Sequence, residues 1–514
     1  MNSRFLNAAF LAILGLTADL SAHGTIRYVS PTGDDGNSGT SWAAPKRSVQ
    51  AAVNIAASGD TVLVTNGVYA LSSTIIITNA VVLASVNGPS VTILDGQQTV
   101  RVCGVPHAAA TVNGFTIQNG RAVINGGGLY CNSGTILNCV IANNKATGNE
   151  NGDGQGGGIY LAYGMVSNCV IFSNTVTSTN ADSYNNTASG GGVYCYSGVV
   201  SDCVISNNVC TDNYGSGGGV TLTGGELPHS QLANNSVVAL WYADGGGVYA
   251  DMNGSGYSFV DRCTLISNSV TATETGAYTT CLAEGGGFYI SNATDFRDSL
   301  ITGNKAASPF GFADGGGGRS VGSLVRNCTV VMNQASAPSN PSQGGGMQWG
   351  GTDQPVNDIV VFNSSSSLPN NSYVNPLNPP TFIDCFFADP SFVNPMIGDF
   401  HLQDTSPCIN AGTNQSWMIG AQDLDGNNRI GGGTVDIGAY EHSSLTPTLA
   451  NARQSGNQII LSWPTNATGF TLQSSTALSG PVVWSSGFSP VTVGSNFVVS
   501  NTIATGTRFY RLKK

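Results

Sequence analysis

Three carboxylates recur at one place in consecutive repeats. Asp244, Glu284 and Asp314 each stand immediately before a run of glycines, and the same position holds Asn125, Gln155, Ser189, Ser216 and Gln343 in the other repeats. If the repeats stack as adjacent strands, these groups lie about 4.8 Å apart. Each neighbouring pair then repels by about 3.5 kcal/mol at an effective dielectric near 20, and by about 1 kcal/mol in open water. A bound cation such as calcium, a shared proton or outward splaying would each relieve that repulsion. The same repeats hold Arg262, Arg297, Arg319 and Arg326, with Asp261 and Asp298, in a chain of which only 9% is charged. Calcium held by Asp244, Glu284 and Asp314, with one of these arginines as base or substrate clamp, would suit metal-assisted cleavage of an acidic sugar. The plainer arrangement has the carboxylates splayed into solvent and neutralised by the arginines.

A second row is aromatic. Tyr130, Tyr160, Tyr194, Tyr249 and Tyr289 follow the glycines at equivalent places, with Thr221 interrupting. Such a row either stacks against sugar rings along a polymer or stacks on itself under a covering loop. Arg319 has two registers. If Gly315 opens its glycine run, Arg319 takes the tyrosine position and points outward; if Gly316 does, it points inward and needs a buried partner.

Both rows depend on a repeat. Gly-Gly-Gly-apolar-Tyr begins at Gly126, Gly156, Gly190, Gly245 and Gly285, with degenerate copies at Gly217, Gly315 and Gly344, 27 to 40 residues apart. A second element follows, centred on Cys139, Cys169, Cys203, Ser230, Cys263, Ser299 and Cys328. Apolar residues flank each centre, and five residues beyond it is always Asn: Asn144, Asn174, Asn208, Asn235, Asn268, Asn304 and Asn333. Alternation with period two marks strands, three short ones per repeat. One such coil cannot bury its own apolar face, but stacked coils can. The pattern predicts a right-handed parallel β-helix, all-β, with like residues in ladders. The Asn ladder suits a left-handed bend, and the glycines a bend where a side chain would collide.

Composition limits the function classes. The formal charge is −11 with no basic run, which disfavours nucleic acid. Arg4, the apolar Phe5–Leu16 stretch and the small residues ending at Ala22 read as a secretory signal, and no later stretch is apolar enough to span a membrane. The expected location is extracellular or on the outer cell surface. Residues 23–120 read as an amino-terminal cap and first coils, 121–365 as β-helix repeats, 366–442 as a closing segment, 443–450 as a linker and 451–514 as a small β-sandwich.

The paired Gly-Gly-Gly-apolar and x-x-Asn elements resemble the repeats of polymorphic outer-membrane proteins. Residues 28–69 (YVSPTGDDGNSGTSWAAPKRSVQAAVNIAASGDTVLVTNGVY) resemble the opening of secreted pectate-lyase-like (pectin-lyase fold) β-helix proteins. That resemblance implies a capping helix near Val49–Ala56 and first-coil strands at TIIIT and VTILDG. Residues 388–441 resemble the closing segment of bacterial right-handed β-helix proteins, and the tail ending Phe-Tyr-Arg-Leu resembles carboxy-terminal modules of bacterial secreted proteins, implying attachment to the cell envelope. The fold hosts lyases, hydrolases, adhesins and inert scaffolds. The paired-Asp, Gly-His-Gly and Arg-Ile-Lys signatures of polygalacturonases are absent from the sequence.

The Cys column reads as small buried side chains rather than bridges, because stacked neighbours sit wider than a disulfide. Cys385 and Cys408 are the pair to test as a disulfide. DLDGN (423–427) reads as either a calcium loop or a turn held by Asx bonds. The expected function is binding of extracellular polysaccharide or a cell-surface glycan, as an adhesin does. A calcium-dependent polysaccharide lyase and a non-catalytic surface stalk are the alternatives.

Overall fold

The computed structural model describes residues 24–513 except 150–152, 179–186, 252–256, 275–280, 368–369, 375, 377–378, 443–449, 456, 466–469, 478–481, 495 and 503–506. The signal segment and nearly all of the expected linker lie outside the described residues. The chain forms two compact units, Met1–Glu441 and His442–Lys514. The first is a right-handed parallel β-helix. No helix among the described residues is long and apolar enough to cross a membrane.

Each coil contributes to four parallel sheets. In the coil beginning at Gly126, sheet C takes Leu129–Cys131, sheet A Thr135–Leu137, sheet B Val140–Ala142 and sheet D Lys145–Thr147. The sequence pattern predicts three strands, so sheet D is a correction. Its apolar residues are small: Ala146, Val176, Cys210, Val237, Val270 and Ala306 form a core separate from the main one. The variable segment leaves along sheet D and returns to the next triplet along the same sheet, packing Ala188, Ala243, Ala283 and Ala313 on those residues. The expected helix is present as Val49–Ile55, with the Ser48 hydroxyl accepting from the Ala51 N–H at 3.3 Å.

The glycine triplets form a column: in the coil of Gly245 the first N–H donates to the carbonyl of Glu284, the residue before the next triplet, and the second and third donate to carbonyls of that triplet. Three different collisions demand the three glycines. In the coil of Gly245, the first has φ +61°. A Cβ on Gly246 would lie 2.3 Å from the Gly286 carbonyl oxygen, and one on Gly247 would lie 2.7 Å from the Gly287 carbonyl oxygen and 3.1 Å from the Asn268 amide carbon.

The Asn ladder departs from expectation. Its members are buried and do not adopt the left-handed conformation. That conformation falls one residue earlier, at Asn143, Ser173, Asn207, Asn234, Ser267, Gly303 and Met332. The ladder amides point inward and bond along the axis. Asn235 Nδ2 donates to Asn268 Oδ1 at 3.0 Å and to the Ile205 carbonyl at 2.8 Å, while its Oδ1 accepts from the N–H and Nδ2 of Asn208 at 3.1 and 2.9 Å. Both donors and both acceptor sites of the side chain are thereby used. Asn363 extends the ladder by one coil.

The Cys column also bonds. Its Sγ and Oγ atoms accept from the backbone N–H one coil earlier, as Ser230 does from Cys203 at 3.1 Å and Ser299 from Cys263 at 3.0 Å. Asp358 ends the column by accepting from Cys328 N–H at 2.8 Å. All twelve cysteines are free. Cys385 and Cys408 are therefore not bridged: Cys408 is buried in a core with Phe392, Phe400 and Leu402, and the Cys385 thiol lies 3.6 Å from the Ile383 carbonyl.

The closing segment is irregular and held by charge. Arg429 is fully buried, with Nε 3.4 Å from Asp298 and 3.7 Å from Glu441. In DLDGN, Asp423 accepts from the N–H groups of Asp425, Asn427 and Glu441, so its oxygens serve the turn. Among the described residues, the second unit has two antiparallel sheets, of four and three strands, and a core of Leu461, Trp463, Leu472 and Val499.

Asn235→Ala removes two donors and two acceptors from a dry ladder. It should lower stability by about 2–4 kcal/mol, measured by guanidinium unfolding. An unchanged midpoint would show that the ladder is dispensable.

Candidate functional site

Register decides which side chains meet. Tyr130, Tyr160, Tyr194, Thr221, Tyr249, Tyr289 and Arg319 are successive partners on sheet C. Gly315, with φ +61°, opens its triplet, so Arg319 occupies the tyrosine position and points outward. Beside this column, across the triplet turn, runs Gln155, Ser189, Ser216, Asp244, Glu284, Asp314 and Gln343 on sheet D.

The tyrosines stack on one another. Tyr130–Tyr160 and Tyr160–Tyr194 have centroids 5.1 and 5.4 Å apart and planes within 5°. Tyr249–Tyr289 are 5.3 Å apart. Arginines cover both ends of the column: Arg101 lies 5.4 Å from the Tyr130 centroid and Arg319 lies 5.7 Å from that of Tyr289. Burial raises the hydroxyl of Tyr160 to about 12 and also raises those of Tyr194, Tyr249 and Tyr289.

Thr221 breaks the column. Its hydroxyl donates to the Ser216 carbonyl at 3.1 Å and leaves the space above it empty of a ring. Tyr194 and Tyr249 are thus two rungs apart, about 10 Å. Among the described residues, no ring or cation pairs with the faces they turn toward each other. A cavity of about 430 Å³ opens there, lined in part by Asp153, Thr187, Ser189, Tyr214, Ser216, Tyr242, Asp244 and Asp251. Small hydroxyl residues in one coil make the space, and a second stack, Tyr214–Tyr242 at 5.3 Å, stands beside it.

The carboxylates do not splay. Glu284 and Asp314 are 5% and 8% exposed. Glu284 is ion-paired with Arg319. Asp314 Oδ2 accepts from Gln348 Nε2 at 3.1 Å. Asp244 Oδ1 and Asp314 Oδ1 are buried without a hydrogen-bond partner. Burial pushes Asp244 up to about 7, with Arg319 opposing, and Asp314 up to about 6. One guanidinium and retained protons therefore relieve the repulsion. Among the described residues, no group of three acidic, histidine or cysteine side chains converges closely enough to hold a metal ion.

The four arginines divide. Only Arg319 joins the carboxylates. Arg262, Arg297 and Arg326 hold the closing segment against sheet A. Arg297 lies 4.2 Å from the Trp417 ring centroid and Arg326 5.4 Å. Arg326 donates to Gln415 Oε1 at 3.1 Å and Arg262 to Gln422 Oε1 at 2.8 Å. Asp261 and Asp295 complete their pairing.

The interruption at Thr221 marks the cavity in the sequence, and Asp153, Tyr214 and Tyr242 share the position two residues before the carboxylate column. Asp251 follows Tyr249 by two residues and so shares its face.

No protein-family model matches the chain, and no curated protein matches it in sequence. Among solved structures it is similar to pectate lyase Pel9A, at 15% identity and TM-score 0.43, over 82% of this chain and 97% of that one. It is similar to XylC in complex with xylose at 10% identity and TM-score 0.40, over 95% and 100%. It is similar to a rhamnogalacturonan lyase at 13% identity and TM-score 0.26, over 74% and 96%.

Carboxyl groups that titrate near 4 when unfolded but near 6 and 7 when folded bind protons more tightly in the native state. Their contribution to stability is full below about pH 4 and is lost as pH rises through 6 to 7. The Asp244→Asn/Asp314→Asn double variant should therefore lose less stability than wild type between pH 4 and pH 7, read from urea midpoints at each pH. Parallel curves would place the titration elsewhere.

Proposed function

We propose that the chain binds polysaccharide at the break in the tyrosine column, outside the cytoplasm, as the apolar leader at Met1–Ala22 suggests. The observation that carries this is the pair of unpaired ring faces on Tyr194 and Tyr249. They face each other at a separation that admits one more ring at the spacing the column already uses. A pyranose has an apolar face of suitable size, and hydroxyl groups on its rim would meet Ser189, Ser216 and Thr223 around the cavity. A stalk would need neither the gap nor the cavity. The calcium-dependent lyase alternative calls on one of four arginines as base or substrate clamp. Arg319 is tied to Glu284, and the other three arginines support the closing segment.

Thr221→Tyr should complete the stack and close the site. The variant is expected to keep its unfolding midpoint and to lose glycan binding at least about tenfold, a difference near 1.4 kcal/mol, read by calorimetry against the best ligand from a glycan array. Equal binding by the filled column would overturn the assignment.

A further inference from the structure

The ligand class follows from the charges around the same slot, and so rests on the reading above. Asp153, Asp244 and Asp251 line the cavity, and no lysine, arginine or histidine is among its described lining residues. The three acids surround the gap from both sides. Asp153 accepts from the Thr187 N–H at 2.9 Å on the Tyr194 side. Asp251 stands beside Tyr249, whose hydroxyl lies 3.5 Å from its Oδ2. Its Oδ1 already accepts from Ser291 Oγ and Asn292 Nδ2, at 2.7 and 2.6 Å. Asp244 is different. Its Oδ1 is buried and has no hydrogen-bond partner. The nearest cation along the columns, Arg319, is engaged by Glu284. A buried carboxylate oxygen with an unmade bond, beside aromatic faces, suits a cationic group. A metal ion fits poorly, because the acids are spread around an aromatic slot and do not converge.

We propose that the slot recognises a protonated amino sugar, its ring held between Tyr194 and Tyr249 and its ammonium directed to Asp244. An acidic sugar would meet three carboxylates there, which separates this ligand class from the acidic glycans that the sequence suggests. A neutral sugar could stack but would leave the Asp244 oxygen unpaired.

Calorimetry on the full chain near pH 7, where Asp244 is partly ionised, tests this with three probes: the glucosamine tetramer, the N-acetylglucosamine tetramer and the galacturonate tetramer. The glucosamine tetramer should bind at least about tenfold more tightly than its acetylated form, and galacturonate should not bind. The preference should shrink as salt is added. Asp244→Asn should remove the preference while leaving weak binding of both hexosamine probes. Asp251→Asn, at a less buried site, should reduce it part-way and serves if Asp244→Asn folds poorly. Equal affinity for the two hexosamine tetramers, or tightest binding of galacturonate, would overturn the amino-sugar assignment and leave glycan binding standing. Tightest binding to an uncharged glycan of the array, with none of these probes bound, would do the same. No binding to any glycan would remove the underlying reading as well.

Discussion

Each coil is registered to the next by an amide ladder set against a column of glycines. An Asn side chain bonded on all four sides repeats at one rung per coil, and the third glycine of each triplet leaves room for it. Any slip by one residue would turn the Asn outward and set a side chain against the neighbouring backbone. Register is therefore held by polar groups in a dry interior, where an unmade bond costs more than a made one contributes. Everything outward-facing inherits that register. Tyrosines fall on tyrosines and carboxylates on carboxylates whether or not the pairing is favourable.

The consequences differ by chemistry. Aromatic rings tolerate a repeat near 5 Å, since offset stacking is attractive at that distance. Carboxylates do not, and the chain accommodates them with Arg319 and with raised affinities for protons. Arg319 serves both columns: it pairs with Glu284 and lies over the exposed face of Tyr289. At the opposite end Arg101 covers Tyr130. With both ends covered, the unpaired faces are left only where the repeat omits its tyrosine.

The columns were legible because counting residues from the glycines is the same operation as counting around a coil. The Gly, Cys, Asn, Tyr and carboxylate positions all followed from it. The small residues two places after each ladder Asn, from Ala146 to Ala306, are evenly placed in the sequence, but the variable segments that follow obscure the strand they belong to and its return at Ala188, Ala243, Ala283 and Ala313. The left-handed residue was placed at the Asn ladder because Asn favours that conformation. The structure assigns it to the preceding position, where Ser267 and Met332 also adopt it, since the ladder Asn must turn inward to bond. Arg262, Arg297 and Arg326 were grouped with Arg319 by proximity in sequence. Their partners, Trp417 for Arg297 and Arg326 and Gln422 for Arg262, lie in a segment whose path over sheet A has no periodic signature.

A repeat protein gains a site most economically by leaving something out. Every intact rung of the tyrosine column satisfies its neighbours and has no ring face to offer. Replacing one tyrosine with threonine leaves two faces without a stacked ring, and small residues at Ser216 and Thr223 of the same coil deepen the gap. The adjacent coil is also where carboxylates first enter the neighbouring column, at Asp244. An aromatic slot and an incompletely bonded acid thus lie on consecutive rungs because the register that aligns one column aligns the other.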